Sequence, residues 1–337
     1  MTQDPSVAPR YRRLVFLAFV VSSCAPPVAS QITTTVHTAG GLRASAACPG
    51  GPRSVAPGTD LTAGVGLSVG CSAGPGACST SASVAVAVTA NPTQPRVQLT
   101  CTAFPPGLGC VLGLATASGD VVVTWSAVAP VTGRVVVRQA PPAFFFVPNG
   151  TVSVDVEADG TAEFRSGGFA QSAPGFHFEA PLTVDAAGVQ VAVDATSQFA
   201  TMDLVLEFLP GPGVLAPYGS GCGARLTGWY VDVDDPTLPP RVRSLDLRAA
   251  GAPGAVGFLV FGDRSVQVPV PPLGCAVRTT LLAPVPVVVG AMGEAYLTVP
   301  LPVAVRGGPV YAQYMAGTVA PGGTRWETSN GLALRIP

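Results

Sequence analysis

Thr151-Val152-Ser153-Val154-Asp155-Val156-Glu157 alternates an apolar β-branched side chain with a polar one over seven residues. Side chains on a strand repeat every two residues, so Val152, Val154 and Val156 share one face while Ser153, Asp155 and Glu157 share the other. One face then meets a core and the other meets water, which marks an antiparallel sheet; a parallel sheet is buried on both sides. Directly after it, Asp159-Gly160 offers the positive φ of a tight hairpin turn. The same residues open an Asp155-x-Glu157-x-Asp159-Gly160 calcium-loop pattern, but position twelve is Ser166 where a bidentate Glu is required. The hairpin is the reading kept.

Working outward, runs of the same type recur at 83–89, 96–102, 120–126, 134–139, 161–165, 188–194 and 202–208, separated by Gly, Pro or Asp-Gly signals. A second series follows at 241–247, 256–261, 265–270, 278–282, 285–289, 295–299, 310–315 and 331–336. Gly 40 and Pro 35 make up more than a fifth of the 337 residues, which leaves no window for a long helix. The expected fold is all-β: antiparallel β-sandwich domains, jelly-roll or immunoglobulin-like, two in tandem.

The domain layout follows from breaks in the pattern. Residues 1–30 read as an export signal, and residues 31–80, rich in Gly, Ser and Ala, as a loop-rich, Cys-containing segment packed on the first domain. Residues 81–210 form the first sandwich. The stretch Gly211-Pro212-Gly213-Val214-Leu215-Ala216-Pro217 reads as a linker, and 218–337 as a C-terminal β domain.

Arg10, Arg12 and Arg13 before the apolar run from Leu14 to Val21, then small residues, have the layout of a bacterial export signal. Val28-Ala29-Ser30 fits cleavage before Gln31, whereas Val21-Ser22-Ser23-Cys24 fits lipidation of Cys24. Gly or Pro interrupts every later apolar run, so no spanning helix is expected after the leader. Export makes disulfides the expected state of the eight cysteines, and no C-x-x-C pair suggests zinc. The local pairs expected are Cys71 with Cys78 and Cys101 with Cys110, which leaves Cys48 over.

Composition also narrows the chemistry. The formal net charge is −1, with charged residues at 11%, so no basic stripe exists for nucleic acid. All 18 basic residues are Arg and only His37 and His177 occur, which removes Schiff-base and P-loop lysines and most zinc-hydrolase sites. Gly66-Leu67-Ser68-Val69-Gly70 matches a nucleophile elbow but lacks the strand-to-helix context. Asp232, Asp234 and Asp235 beside Trp229 and Tyr230 are candidate calcium ligands at a solvated loop. Exposed and coplanar, Trp229, Tyr230 or Trp326 would stack a sugar. His177, between Phe176 and Phe178, is placed on a polar face with Glu179. The run Phe144-Phe145-Phe146-Val147 is assigned to a core.

Tyr218-Gly219-Ser220-Gly221-Cys222-Gly223, the 254–262 strand, Leu273-Gly274-Cys275, Val310-Tyr311-Ala312-Gln313-Tyr314 and Asn330-Gly331-Leu332 resemble a C-terminal β domain found at the ends of exported proteins of GC-rich planctomycete-like bacteria. The resemblance covers roughly residues 215–337 and implies an extracellular location and a Cys222–Cys275 bridge, but no activity. Export, and the fact that these are the only cysteines beyond the expected linker, argue for the same bridge.

The reading that results is an exported, non-catalytic surface or matrix protein acting by binding or scaffolding. It needs no cofactor, and its partners are glycans or other surface proteins. The alternatives are a carbohydrate-binding module and an extracellular hydrolase with a carboxylate pair.

Overall fold

The structure, a computed structural model, describes residues 31–46, 53–55, 61, 65–72, 79–89, 91, 93–104, 115–139, 149–172, 175–198, 201–234, 242–270, 275–301, 308–320 and 323–335. Among them the chain is all-β, and every strand pairing is antiparallel.

A six-stranded sheet runs in the order β2 (Arg53–Val55), β1 (Ile32–Ala46), β6 (Ala115–Ala127), β11 (Val189–Gln198), β8 (Asn149–Val156), β9 (Phe164–Ser172). A nine-stranded sheet runs β20 (Glu294–Leu301), β15 (Val242–Ala250), β14 (Arg225–Asp234), β10 (Gly175–Val184), β7 (Val131–Gln139), β12 (Thr201–Pro210), β5 (Arg96–Phe104), β4 (Ser79–Thr89), β3 (Val65–Ser72). A five-stranded sheet follows the order β13 (Leu215–Tyr218), β22 (Gly323–Leu334), β21 (Val310–Ala320), β16 (Val256–Gly262), β19 (Ala283–Val288). The pair β17 (Ser265–Val270) and β18 (Cys275–Thr279) forms a separate flap.

The opening heptad behaves as its alternation requires. Val152, Val154 and Val156 are buried in the first core, and Asp194 and Ser153 pair on the outer face of β11 and β8. That core lies between the six-stranded sheet and strands β3–β14 of the nine-stranded sheet, and Trp125, Phe178, Leu204 and Phe208 fill its centre. Each such side chain stabilises by roughly 1.5–3 kcal/mol through burial.

The second core uses the opposite face of the same sheet. On β14, Trp229 and Val231 point into the first core, while Leu226 and Tyr230 point into a second one with Leu245, Leu247, Leu259, Tyr314 and Leu332. Strand alternation thus lets β14 serve two sandwiches. Two cores exist, as two sandwiches in tandem imply, and β14, β15 and β20 continue the first sheet so that the second core is built on its opposite face.

The expected linker at 211–217 differs for the same reason. Gly211 turns with φ 91°, Val214 N–H donates to Glu179 at 2.6 Å, and Leu215 is already a buried residue of β13, paired with Leu334. Buried apolar contact and satisfied backbone groups fix this stretch in place. The expected loop-rich segment at 31–80 is likewise replaced in part by β1, β2 and β3. Ile32, Val36, Leu42 and Ala44 reach the first core, and a bulge between Thr38 and Gly41 carries the register across the Gly pair. Gly66 to Gly70 lie in β3, so the elbow pattern is strand backbone.

Candidate functional site

At one end of the nine-stranded sheet, β14, β15 and β20 form a shelf. The β8–β9 connection, residues 157–163, leans on it. Positive φ at Glu157 (86°), Ala158 (50°) and Gly160 (89°) folds the connection back, and Asp155 accepts from Asp159 N–H at 3.2 Å and Gly160 N–H at 2.7 Å. The hairpin reading of this stretch holds, but the turn is longer than a two-residue Asp-Gly one: β8 ends at Val156 and β9 begins at Phe164.

This turn and the shelf gather charge. Arg248 on β15 lies 3.6 Å from Glu163, 3.7 Å from Asp159 and in direct hydrogen bond with Glu294 of β20. Tyr296 O–H donates to the other Glu294 oxygen at 2.5 Å, and Arg225 on β14 pairs with Glu157 at 3.1 Å. Glu163 Oε2 also accepts Val156 N–H at 2.6 Å. Burial pushes the Glu163 carboxyl up to about 7, against the pull of that amide, and burial raises Asp155 as well. Hydrogen bonds from Arg248 and Tyr296 hold Glu294 below its ordinary value.

Asp155, Asp159 and Glu163 bring one carboxylate oxygen each within 4.8 Å of the others. Arg248 is the counter-charge of Asp159 and Glu163, and Asp155 accepts two backbone amides. The group is therefore an ion-pair junction. Two clefts flank it. One of about 120 Å³ is lined by Glu157, Glu163, Trp229 and Arg248, and one of about 400 Å³ by Glu163, Arg165, Asp246, Tyr296 and Thr298.

The residues singled out in sequence scatter. Trp229 and Tyr230, whose exposure would have favoured sugar stacking, are 7% and 3% exposed and point to opposite faces of β14, because neighbours on a strand cannot share a face. Trp326 is 50% exposed on β22. Asp232, a proposed calcium ligand, is 3.6 Å from Arg243 and 3.5 Å from the Tyr230 hydroxyl, so its charge is already matched; the Asp234 side chain and Asp235 lie outside the described residues. His177 shares a face with Glu179 as expected, 3.5 Å away, although Glu179 is buried beneath Val214.

Of the cysteines, Cys222 and Cys275 are bonded, their Cα atoms 5.4 Å apart. The Cys101–Cys110 expectation is corrected: Cys101 is a free thiol inside the first core, with Sγ 3.8 Å from Ala195 O. Burial, then Asp194 and Asp203, push it up to about 12. Cys24, Cys48, Cys78, Cys110, the Cys71 side chain and residues 144–147 lie outside the described residues.

The junction escaped the sequence reading because Arg248 and Glu294 are remote from the turn in the chain. The local signal, Asp155-x-Glu157-x-Asp159-Gly160, reads as a hairpin turn and gives no sign of the partners from β15 and β20. Comparison with models of known families, with curated proteins and with solved structures finds no match.

Proposed function

We propose that this is an exported, non-catalytic surface or matrix protein that acts by binding, and that the binding face is the outer side of the five-stranded sheet. The observation that carries the reading is a cross-strand apolar row. Val288 on β19 pairs with Val256 on β16, Val256 with Gly317 on β21, and Gly317 with Trp326 on β22. Directly paired residues project to the same side. Val288 is 65% exposed, Val256 61% and Trp326 50%. Phe258, 49% exposed, stands one row along between Pro286 and Met315.

The β17–β18 flap covers the other end of this face, where Arg278 N–H donates to the buried Gln313 and Gln313 donates to Ala276 O. The row beyond it is bare. A continuous uncharged apolar patch of this kind marks an interaction surface. Pro284 and Pro286 on the edge strand β19 remove ladder donors, which directs recognition to the face and away from strand addition.

A carbohydrate partner is the second reading, supported by Trp326 alone. A Cβ on Gly317 would lie 3.5 Å from two Trp326 ring carbons, so the ring packs beside the glycine while half of its surface meets solvent. Export is supported by the leader pattern and by the Cys222–Cys275 bond, and no helix among the described residues is long and apolar enough to cross a membrane.

The test is retention of the mature protein on neutral insoluble polysaccharides and on a glycan array, beside the Trp326→Ala and Phe258→Ser variants. Binding that survives both substitutions, or that is absent on every glycan and on the proteins of the native cell surface, would remove this face from the account.

A further inference from the structure

We propose that residues 157–163 are a proton-operated latch on the β14–β15–β20 shelf, closed in acid and loosened as the junction ionises. The latch is independent of the binding face proposed above. Its basis is an imbalance of charge in a confined place. Asp155 comes from the end of β8, and Glu157, Asp159 and Glu163 from the turn; β20 adds Glu294 and the Tyr296 hydroxyl. Facing them are Arg225 from β14 and Arg248 from β15, while Arg165 of β9 and Asp246 of β15 line the adjoining cleft. Arg225 is matched by Glu157. One guanidinium, Arg248, is then shared by Asp159, Glu163 and Glu294.

Of those three, Glu163 is the most enclosed, its side chain 7% exposed against 38% for Asp159 and 23% for Glu294. It adjoins the buried ring of Phe164, so a second uncompensated charge there has little solvent to relieve it. Protonated, Glu163 leaves Arg248 to the other two and the turn rests on the shelf. Ionised, it adds like charge beside Asp155 and Asp159, and lifting the turn gives that charge back to water.

The sign follows from linkage. The closed form holds the Glu163 proton to about pH 7, and an opened turn holds it only to the ordinary 4.5. Opening is therefore favoured progressively as pH rises through that window and levels off above about 7. One proton of linkage across it increases the open fraction on the order of fifty-fold between pH 5 and 8.

Hydrogen exchange of the full chain tests this, with amide rates in 157–163 normalised to an unfolded peptide at each pH. Opening of the turn in the wild type should rise on the order of fifty-fold from pH 5 to 8 while β6 amides stay constant. Glu163→Gln, a neutral isostere, should flatten the profile to within about threefold. A wild-type change below threefold, or a Glu163→Gln profile parallel to wild type, overturns the latch. Should that variant fail to fold, the ¹³C carboxyl titration of Glu163 in the wild type decides: a midpoint near 7 supports the latch and one below 5 overturns it.

Discussion

Removing the Cys222–Cys275 bond should unfasten the second core before the first. The two cysteines are 53 residues apart, and in the chain-entropy account closing a loop of that length withdraws about 14 cal/mol/K from the unfolded ensemble, or about 4 kcal/mol at 25 °C. The bond also positions local structure. Cys222 exchanges backbone hydrogen bonds with Thr328 on β22 at 2.6 and 3.0 Å, and Cys275 begins the flap strand that hydrogen-bonds to Gln313 on β21. Without the cross-link the flap keeps those polar contacts and the Arg278–Ser220 and Tyr218–Arg278 hydrogen bonds. The assay is urea unfolding of the Cys222→Ala/Cys275→Ala protein beside the oxidised wild type. With a slope of about 2 kcal/mol/M, a loss of 4 kcal/mol moves the transition of the second core down by about 2 M. The first core, centred on Trp125 and Phe208, should keep its midpoint. A shift below about 0.5 M, or one in which both cores move equally, would refute the argument that the bond serves the second sandwich.

Leu204, fully buried between the sheets, should cost about 2–5 kcal/mol as Leu204→Ala, read by calorimetry. Gly133→Ala places a Cβ 2.5 Å from the Leu209 carbonyl and 2.6 Å from the Phe208 ring on a central strand, so a loss of about 1–3 kcal/mol in denaturant unfolding is expected. Cys101, held up to about 12 by burial, should resist alkylation at pH 8.5 until denaturant is added, as mass spectrometry of its peptide will show. Trp326→Ala should change stability by less than about 0.5 kcal/mol while abolishing retention on the proposed ligand, because the ring is half in solvent and packs mainly on a glycine.

The sequence by itself determined the local facts. Period-two alternation in residues 151–157 fixed the strand, its inward face and the antiparallel class, because those follow from backbone geometry and from which side chains tolerate burial. The export pattern, two cysteines alone beyond a Pro-Gly stretch and the resemblance of the C-terminal motifs together pointed to the Cys222–Cys275 pair. Tertiary structure decided what depends on where strands stop and which sheet they join. Residues 211–217 look like a linker in composition, yet the neighbouring strands continue one nine-stranded sheet, and only that continuation puts Trp229 in one core and Tyr230 in the other. Cys101 is a free thiol buried in the first core, which spacing to Cys110 could not disclose. The charged junction is the clearest case. Asp159 and Glu163 are written within one turn, but the guanidinium that pairs with them arrives on β15, from the far end of a sheet whose order no local pattern encodes.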